Sequence, residues 1–273
     1  MVELSRVVVT GGNSAIAQEL DFGIRLSHAE CDVTNPSCKD AIQKHNPSAI
    51  LHLASVPIRL CETNPFEAYR INVFGTKNIA EIAKSLNIPL IVISTGAVFD
   101  GNTHAIFFEE SPTNPQNIYG QTKNIAEIIV RASSPKNLIV RTGWLFGLSN
   151  KKDGFSGFIE KAITSLKENA PLKGTPNQKG SPTYVEDFAQ ALTHAIENGK
   201  TGTIHLINEG GASAFEILTH IKHHLNSHSE IVAVSLADVQ GPKRSASEVL
   251  GSKTPLPSWK NALERYLQEK NRN

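Results

Sequence analysis

Arg6-Val7-Val8-Val9-Thr10-Gly11-Gly12-Asn13-Ser14-Ala15-Ile16-Ala17-Gln18-Glu19-Leu20 is the stretch that decides the fold. Its consecutive valines suit a buried strand, the glycines suit a tight turn, and helical spacing resumes within a few residues. A strand that breaks at glycine and re-enters as a helix reads as the opening of a βαβ unit.

The same alternation continues outward. Apolar runs recur at Ala49 to Ala54, Pro89 to Thr95, Asn137 to Thr142 and Thr203 to Ile207. Helical spacing fills Pro65 to Leu86, Ile118 to Ala132 and Val185 to Asn198 between them. Buried strands joined by helices predict an α/β fold, a doubly wound parallel sheet of the Rossmann type. The regularity breaks after Thr142, where 147–180 is rich in Lys, Gly, Asn and Pro around one helical stretch, Gly157 to Lys167. A second irregular region, Val239 to Ser258, precedes an amphipathic helix from Trp259 to Gln268. The expected division is therefore a dinucleotide-binding domain at 1–146 and 181–208, with a smaller C-terminal substrate-binding lobe at 147–180 and 209–273.

Composition removes several classes. The chain has 273 residues, 40% of them hydrophobic, and a formal net charge of +1. Scattered charge of this kind gives no footprint for nucleic acid. No apolar run approaches the roughly 20 residues of a membrane helix, and the N-terminus lacks the pattern of a signal peptide. Cys31, Cys38 and Cys61 have neither metal-ligand spacing nor an even count. They are expected to stay unpaired, in a cytoplasmic protein of a reducing compartment.

The loop after the first strand fits G-x-x-G-x-x-G with Gly11 in the first place, Ser14 in the second and Ala17 in the third. Gly11, Ser14, Ala15 and Ile16 are the expected contacts for a pyrophosphate, with the Ser14 hydroxyl able to donate to it. Asp32, with Val33 beside it, is expected at the end of a short third strand, where it would accept from an adenine amino group; an N-cap for a helix from Pro36 is equally open. Ala54 and Ser55 should line the cofactor. At the end of the second strand Ser27 and His28, near Arg25, stand where NAD would require an acid. This favours NADP(H) over NAD(H). His52 reads as a structural, hydrogen-bonded histidine.

Tyr119 and Lys123 lie four residues apart at the start of a helix and so share one face. A phenol titrates near pH ~10, and a neighbouring ammonium is what brings its proton into exchange. Thr95 ends the preceding strand, at the edge where open α/β sheets bind ligands. The three suit reduction of a carbonyl, with Tyr119 as general acid, Lys123 tuning it and holding a nicotinamide ribose, and Thr95 polarising the carbonyl.

Five segments then resemble one family in order. They are Ile93-Ser94-Thr95-Gly96-Ala97-Val98-Phe99-Asp100-Gly101, Asn117-Ile118-Tyr119-Gly120-Gln121-Thr122-Lys123, Arg141-Thr142-Gly143-Trp144-Leu145-Phe146-Gly147, Gly180-Ser181-Pro182-Thr183 and Leu256-Pro257-Ser258-Trp259. The pattern is similar to that of the dTDP-4-dehydrorhamnose reductases, extended short-chain dehydrogenase/reductases. That resemblance implies reduction of the 4-keto group of a dTDP-6-deoxy-hexulose to dTDP-L-rhamnose, a polysaccharide precursor. It assigns Thr95, Tyr119 and Lys123 to catalysis, and Thr95, Gly96, Trp144 and Arg244 to substrate, with Trp144 packing on the sugar. Some members hold Mg²⁺ between subunits, and Glu19 matches one such position; no metal site is expected from it, while a homodimer is in keeping with the family.

The chain departs from the family at three places. Gly96-Ala97 stands for the Asp-Tyr pair after the threonine, Glu248 for a serine and Gly251 for an aspartate. These changes bear on the sugar more than on the hydride chemistry. Gly96-Ala97 leaves room for a second reading, a non-catalytic NADP-binding regulatory subunit like the one that accompanies methionine adenosyltransferase, and a third is a nucleotide-sugar epimerase.

Overall fold

The computed structural model describes residues 2–101, 105–148, 154–238 and 245–272. Along the chain, β1 (Val7–Thr10), α1 (Ala15–Gln18), β2 (Ile24–Leu26), α2 (Cys38–Gln43) and β3 (Ala49–His52) alternate as the opening stretch implies. Next come α3 (Ile58–Thr63) and α4 (Pro65–Ala68), a π-helical turn (Tyr69–Gly75), α5 (Thr76–Ser85), β4 (Leu90–Thr95), α6 (Ile118–Ser133) and β5 (Leu138–Thr142). Then follow β6 (Trp144–Phe146), α7 (Gly154–Lys167), β7 (Leu172–Gly174), β8 (Lys179–Gly180), β9 (Pro182–Tyr184), α8 (Val185–Glu197) and β10 (Gly202–His205). The chain ends with β11 (Asn208–Glu209), β12 (Ala212–Ser213), α9 (Ala214–His224), β13 (Ile231–Ala233), β14 (Ser247–Glu248), β15 (Leu256–Ser258) and α10 (Trp259–Arg272).

Two compact units result. The first comprises 1–100, 112–141 and 189–204, and the second 101–111, 142–188 and 205–273. The expected boundaries left 101–111, 142–146, 181–188 and 205–208 with the sheet. The structure gathers these stretches into the second unit, because β6 pairs with β9 and β11 with β15 rather than with the large sheet.

The first unit is built on a six-stranded parallel sheet in the order β10-β5-β4-β3-β1-β2. β1 and β3 are buried along their whole length, and β4 up to Thr95, as strands covered on both faces must be. Val8, Ile50, Val92 and Ile139 pack with Ile79, Ile82 and Val130 of α5 and α6. The expected helix Pro65 to Leu86 is interrupted. Its π turn accompanies an inward-facing Asn72, whose backbone carbonyl also accepts from the Thr76 hydroxyl at 2.7 Å.

Two expectations fail near β2. Asp32 and Val33 lie in a turn rather than at the end of a strand, since Asn35 N–H bonds back to Asp32 and Cys38 N–H to Asn35. The same reversal brings the Cα atoms of Cys31 and Cys38 to 4.9 Å, and the two are joined in a disulfide. Cys61 is the free, buried cysteine. The disulfide removes the argument for a reducing compartment, which rested on unpaired cysteines.

The second unit has its own core, where Phe146, Ile159, Ile163, Leu166 and Tyr184 meet Ile217, Leu218, Leu263 and Tyr266. Helix α9 is fixed at its start by a capping box between Ser213 and Glu216. Small sheets β12-β8-β14, β6-β9, β13-β7 and β11-β15 frame the helices, so the stretch 154–180 carries more order than its composition suggests. No described helix is long and apolar enough to cross a membrane.

Candidate active site

The expected cofactor residues gather at the C-terminal ends of β1 and β3. Gly11 has φ +70°, and a Cβ there would lie 2.5 Å from the Ala54 backbone nitrogen. Only glycine lets the two strand ends close in this way. Ser14 caps the short α1, accepting from Ala17 N–H at 3.3 Å, which leaves its own proton to donate. Ser55 is exposed, and its hydroxyl donates to Asn72 Oδ1 at 3.2 Å. These groups fit a nicotinamide dinucleotide: a glycine turn between strand ends, the start of a helix at Ala15 and Ile16, and the small residues Ala54 and Ser55 just after β3.

Asp32 does not cap a helix. Its carboxylate accepts from the Thr34 backbone N–H at 3.0 Å and the Thr34 hydroxyl at 2.8 Å. Burial opposes its charge, but these two bonds prevail and hold the carboxyl below its ordinary range. Val33 is buried in the core, so only its backbone is available to a ligand. At the end of β2, Arg25 and His28 are exposed. An acid is present there as well: Glu30 Oε2 accepts from the backbone N–H and the hydroxyl of Ser27 at 2.8 and 2.7 Å. Sequence reading sought this carboxylate at the strand end and overlooked a loop that folds back.

The first turn of α6 is set by three contacts. Asn117 Oδ1 caps it by accepting from Gly120 N–H at 2.8 Å, and Glu62 Oε1 accepts from Tyr119 N–H at 3.2 Å. A Cβ on Gly120 would fall 2.1 Å from the carbonyl oxygen of Ala97, so the turn that carries Tyr119 rests on the turn that follows Thr95. Thr95 is half-buried, and its Oγ accepts from Ala97 N–H at 3.2 Å. Gly96 is buried within that short turn. Tyr119 packs beside Val56, Cys61 and Ala68.

Lys123 follows one turn along the helix. Burial lowers its pKa to about 8, with the Glu127 carboxylate opposing the shift. Glu127 is itself buried and held by both arms of Arg141, at 2.9 and 2.7 Å. Beneath lies His52, bonded to the Thr10 hydroxyl at 2.7 Å and the Thr76 hydroxyl at 3.1 Å. Thr76 donates to the Asn72 carbonyl, so His52 is neutral with its proton on Nε2. Burial pushes its pKa down to about 3, as befits a structural histidine. Cys61 is likewise inert, its thiol raised to about 11 by burial.

Trp144 and Glu248 belong to the second unit. The indole N–H donates to Glu248 Oε2 at 3.2 Å, and the ring lies against Gly180, where a Cβ would come 2.2 Å from Cε2. Arg244, expected beside the substrate, lies outside the described residues. Among the described residues no group of three or more His, Cys, Asp or Glu could hold a metal ion.

A model of the RmlD substrate binding domain matches residues 5–272. The chain belongs to this family. Among its relatives, the Bacillus subtilis spore coat polysaccharide biosynthesis protein SpsK is 25% identical, over 98% of each chain. The dTDP-4-dehydrorhamnose reductase of Mycobacterium tuberculosis is 29% identical, over 96% of this chain and 92% of the relative. Among solved structures, the Bacillus anthracis dTDP-4-dehydrorhamnose reductase in complex with NADP superposes with a TM-score of 0.88 at 28% identity, covering 98% and 100% of the two chains. The Clostridium acetobutylicum orthologue gives 0.88 at 27%, covering 97% and 99%. Thermus thermophilus UDP-glucose 4-epimerase, 17% identical with a TM-score of 0.76, shares the fold.

Sequence reasoning missed Glu62, Asn72 and Glu127. The signal available for Glu127 was its place four residues beyond Lys123. Asn72 links Val56 N–H, the Ser55 hydroxyl and the Thr122 hydroxyl across three elements, and no spacing announces that.

Proposed function

We propose that this member of the RmlD family is a cytoplasmic, NADP(H)-dependent reductase of the 4-keto group of a nucleotide-activated 6-deoxy-hexulose, a dTDP-4-dehydrorhamnose reductase. The observation that supports the reading is the close approach of Gly120 to the Ala97 carbonyl, by which the turn that carries Tyr119 rests on the turn that follows Thr95. The substrate class is supported by the relatives named dTDP-4-dehydrorhamnose reductase and by the Streptomyces niveus dTDP-4-keto-6-deoxy-D-glucose reductase, 26% identical over 94% of this chain.

The backbone at Gly11, Ser14, Ala15 and Ile16 would hold the pyrophosphate, with Asp32 and the Val33 backbone at the adenine and Ala54 and Ser55 along the cofactor. Exposed Arg25 and His28 suit a 2′-phosphate, while Glu30 suits the free 2′-hydroxyl of NAD(H). A nicotinamide dinucleotide held there would supply the hydride that reduces the carbonyl carbon. The Thr95 hydroxyl donates to the carbonyl oxygen, and the Tyr119 phenol delivers the proton that completes the alcohol. The Lys123 ammonium stabilises the phenolate that remains, which then recovers its proton from water. Trp144 and Gly96, with Arg244, are the proposed substrate contacts.

A homodimer is also proposed. Leu60, Phe66, Phe74 and Ile128 are large exposed apolar side chains on α3, α4, the π turn and α6, elements that pack on one another. Sedimentation at micromolar protein distinguishes dimer from monomer. The activity is tested by supplying purified protein with NADPH and dTDP-4-dehydrorhamnose: stoichiometric NADPH oxidation with formation of dTDP-L-rhamnose is expected. Tight cofactor binding without oxidation would favour a regulatory subunit, and sugar conversion without net oxidation an epimerase.

A further inference from the structure

We infer that Arg70 is a positioning residue for the adenine end of the cofactor: through the Thr34 hydroxyl it aims the Asp32 carboxylate at the adenine amino group. The inference rests on the proposed place of Asp32 at the adenine and names what holds it there.

Residues 32–35 belong to neither strand nor helix. Their shape is set by the helical run that leads from the π turn into α5, which touches them at three points. Gly75 closes the π turn, and a Cβ there would lie 2.7 Å from Val33 Cγ2. The Asn78 amide of α5 donates to the carbonyls of Val33 and Asn35 at 2.9 and 3.1 Å. Arg70 Nη1, from the π turn, donates to the Thr34 hydroxyl oxygen at 2.6 Å. Asn78 grips the backbone of the loop, whereas Arg70 grips a side chain.

The guanidinium is itself aimed. Its Nε and Nη2 donate to the two carboxylate oxygens of Glu67 at 2.7 and 2.6 Å, a bidentate pair that fixes the plane of the fork and turns Nη1 to Thr34. With its charge met by Glu67, Arg70 acts through Thr34. A hydroxyl has one proton, and an oxygen that accepts from a guanidinium must point that proton elsewhere. The Thr34 proton goes to Asp32 Oδ1 at 2.8 Å, the oxygen that also accepts the Thr34 backbone N–H at 3.0 Å. Both bonds fall on Oδ1, so Oδ2 is the oxygen turned over to a ligand.

The 6-amino group of adenine donates to such an oxygen. Hypoxanthine carries a carbonyl there, which cannot donate and sets its own oxygen against the carboxylate. NADPH and its hypoxanthine analogue therefore differ in what Asp32 reads and in little else.

The test measures the Kd of both reduced cofactors by fluorescence titration of the full chain. The wild type should prefer NADPH by about tenfold, the worth of one hydrogen bond to a charged acceptor. Asp32→Asn should abolish the preference, since an amide can turn to either base. Thr34→Val keeps the branched shape without the hydroxyl, and Arg70→Gln removes the fork; each should reduce the preference to about threefold or less, by weakening NADPH. The double variant should lose no more than Thr34→Val alone, because both changes break one chain. A merely structural Arg70 would weaken both cofactors equally, and an unchanged preference in Arg70→Gln, or losses that add in the double variant, overturns the inference. No preference in the wild type overturns the place of Asp32 at the adenine and this inference with it. A preference lost in Asp32→Asn but kept in Arg70→Gln overturns this inference alone. Binding is read without turnover, so absence of NADPH oxidation defeats the reductase reading and not this one.

Discussion

The start of α6 and the platform that Trp144 forms over Gly180 solve the same problem in different ways. Each places a side chain of the proposed site through a glycine that admits a close neighbour, Gly120 beneath the Ala97 carbonyl and Gly180 beneath the indole. Each also carries a buried carboxylate. At α6 the partners are local: Glu127 is one turn from Lys123, and its charge is met by Arg141, 14 residues away. At the platform, Trp144 and Glu248 are 104 residues apart and meet only through strand pairing. A local arrangement is as rigid as its helix, while a distant one is as rigid as the sheets that assemble it.

The largest effects should fall on the local arrangement. Tyr119→Phe is expected to lower kcat by about 10²–10⁴, the usual worth of a positioned general acid, with cofactor affinity retained in a direct titration. Glu127→Gln would leave the Arg141 guanidinium buried beside a neutral amide. Calorimetric or denaturant unfolding should register a loss of about 3–5 kcal/mol. A loss below about 1 kcal/mol would mean that α6 depends little on its buried pair.

The two glycines sharpen the comparison at intermediate scale. Gly120→Ala drives a methyl into a backbone carbonyl, which has little freedom to move, and should cost about 1–3 kcal/mol of stability together with most of the activity. Gly180→Ala meets a side chain that can swing away. Its signature should be a raised KM and altered tryptophan emission, with a smaller change in stability. The opposite ranking would make the platform the stiffer of the two.

The smallest effects concern titration and cofactor choice. Lys123 titrates near pH 8 in the folded protein against about 10.5 in an unfolded chain. Its folded state therefore disfavours the proton. The ammonium costs stability below pH 8, and that cost is relieved as pH rises towards the unfolded value. Activity runs the other way: kcat/KM should fall above about pH 8 as the cation is lost. Lys123→Met should raise the melting temperature while it removes turnover. Glu30→Gln should shift the NADPH to NADH preference in favour of NADPH by roughly tenfold, about 1.4 kcal/mol.

Much of the fold and of the proposed site was legible because it lies in short spacings. The valine run, the glycine turn and the Tyr119 to Lys123 interval each record a geometry fixed by the backbone itself, whether strand, turn or helix face. Asp32 was misplaced because a reversal closed by backbone hydrogen bonds leaves no periodic trace. Cys31 and Cys38 looked unpaired because an odd count says nothing of which two a turn will bring together. Glu30 was overlooked for the same reason, its side chain returning three residues to meet Ser27.

By itself, the sequence determined the α/β alternation, the strand-end position of Thr95 and the shared face of Tyr119 and Lys123, since each depends on bonds and sterics within a few residues. Tertiary structure alone decided the seat of Gly120 on Ala97, the neutral tautomer of His52, the lowered pKa of Lys123 and the grip of Glu248 on Trp144. Those properties depend on which distant groups are buried together, and burial is what gives a charge or a hydrogen bond its energy.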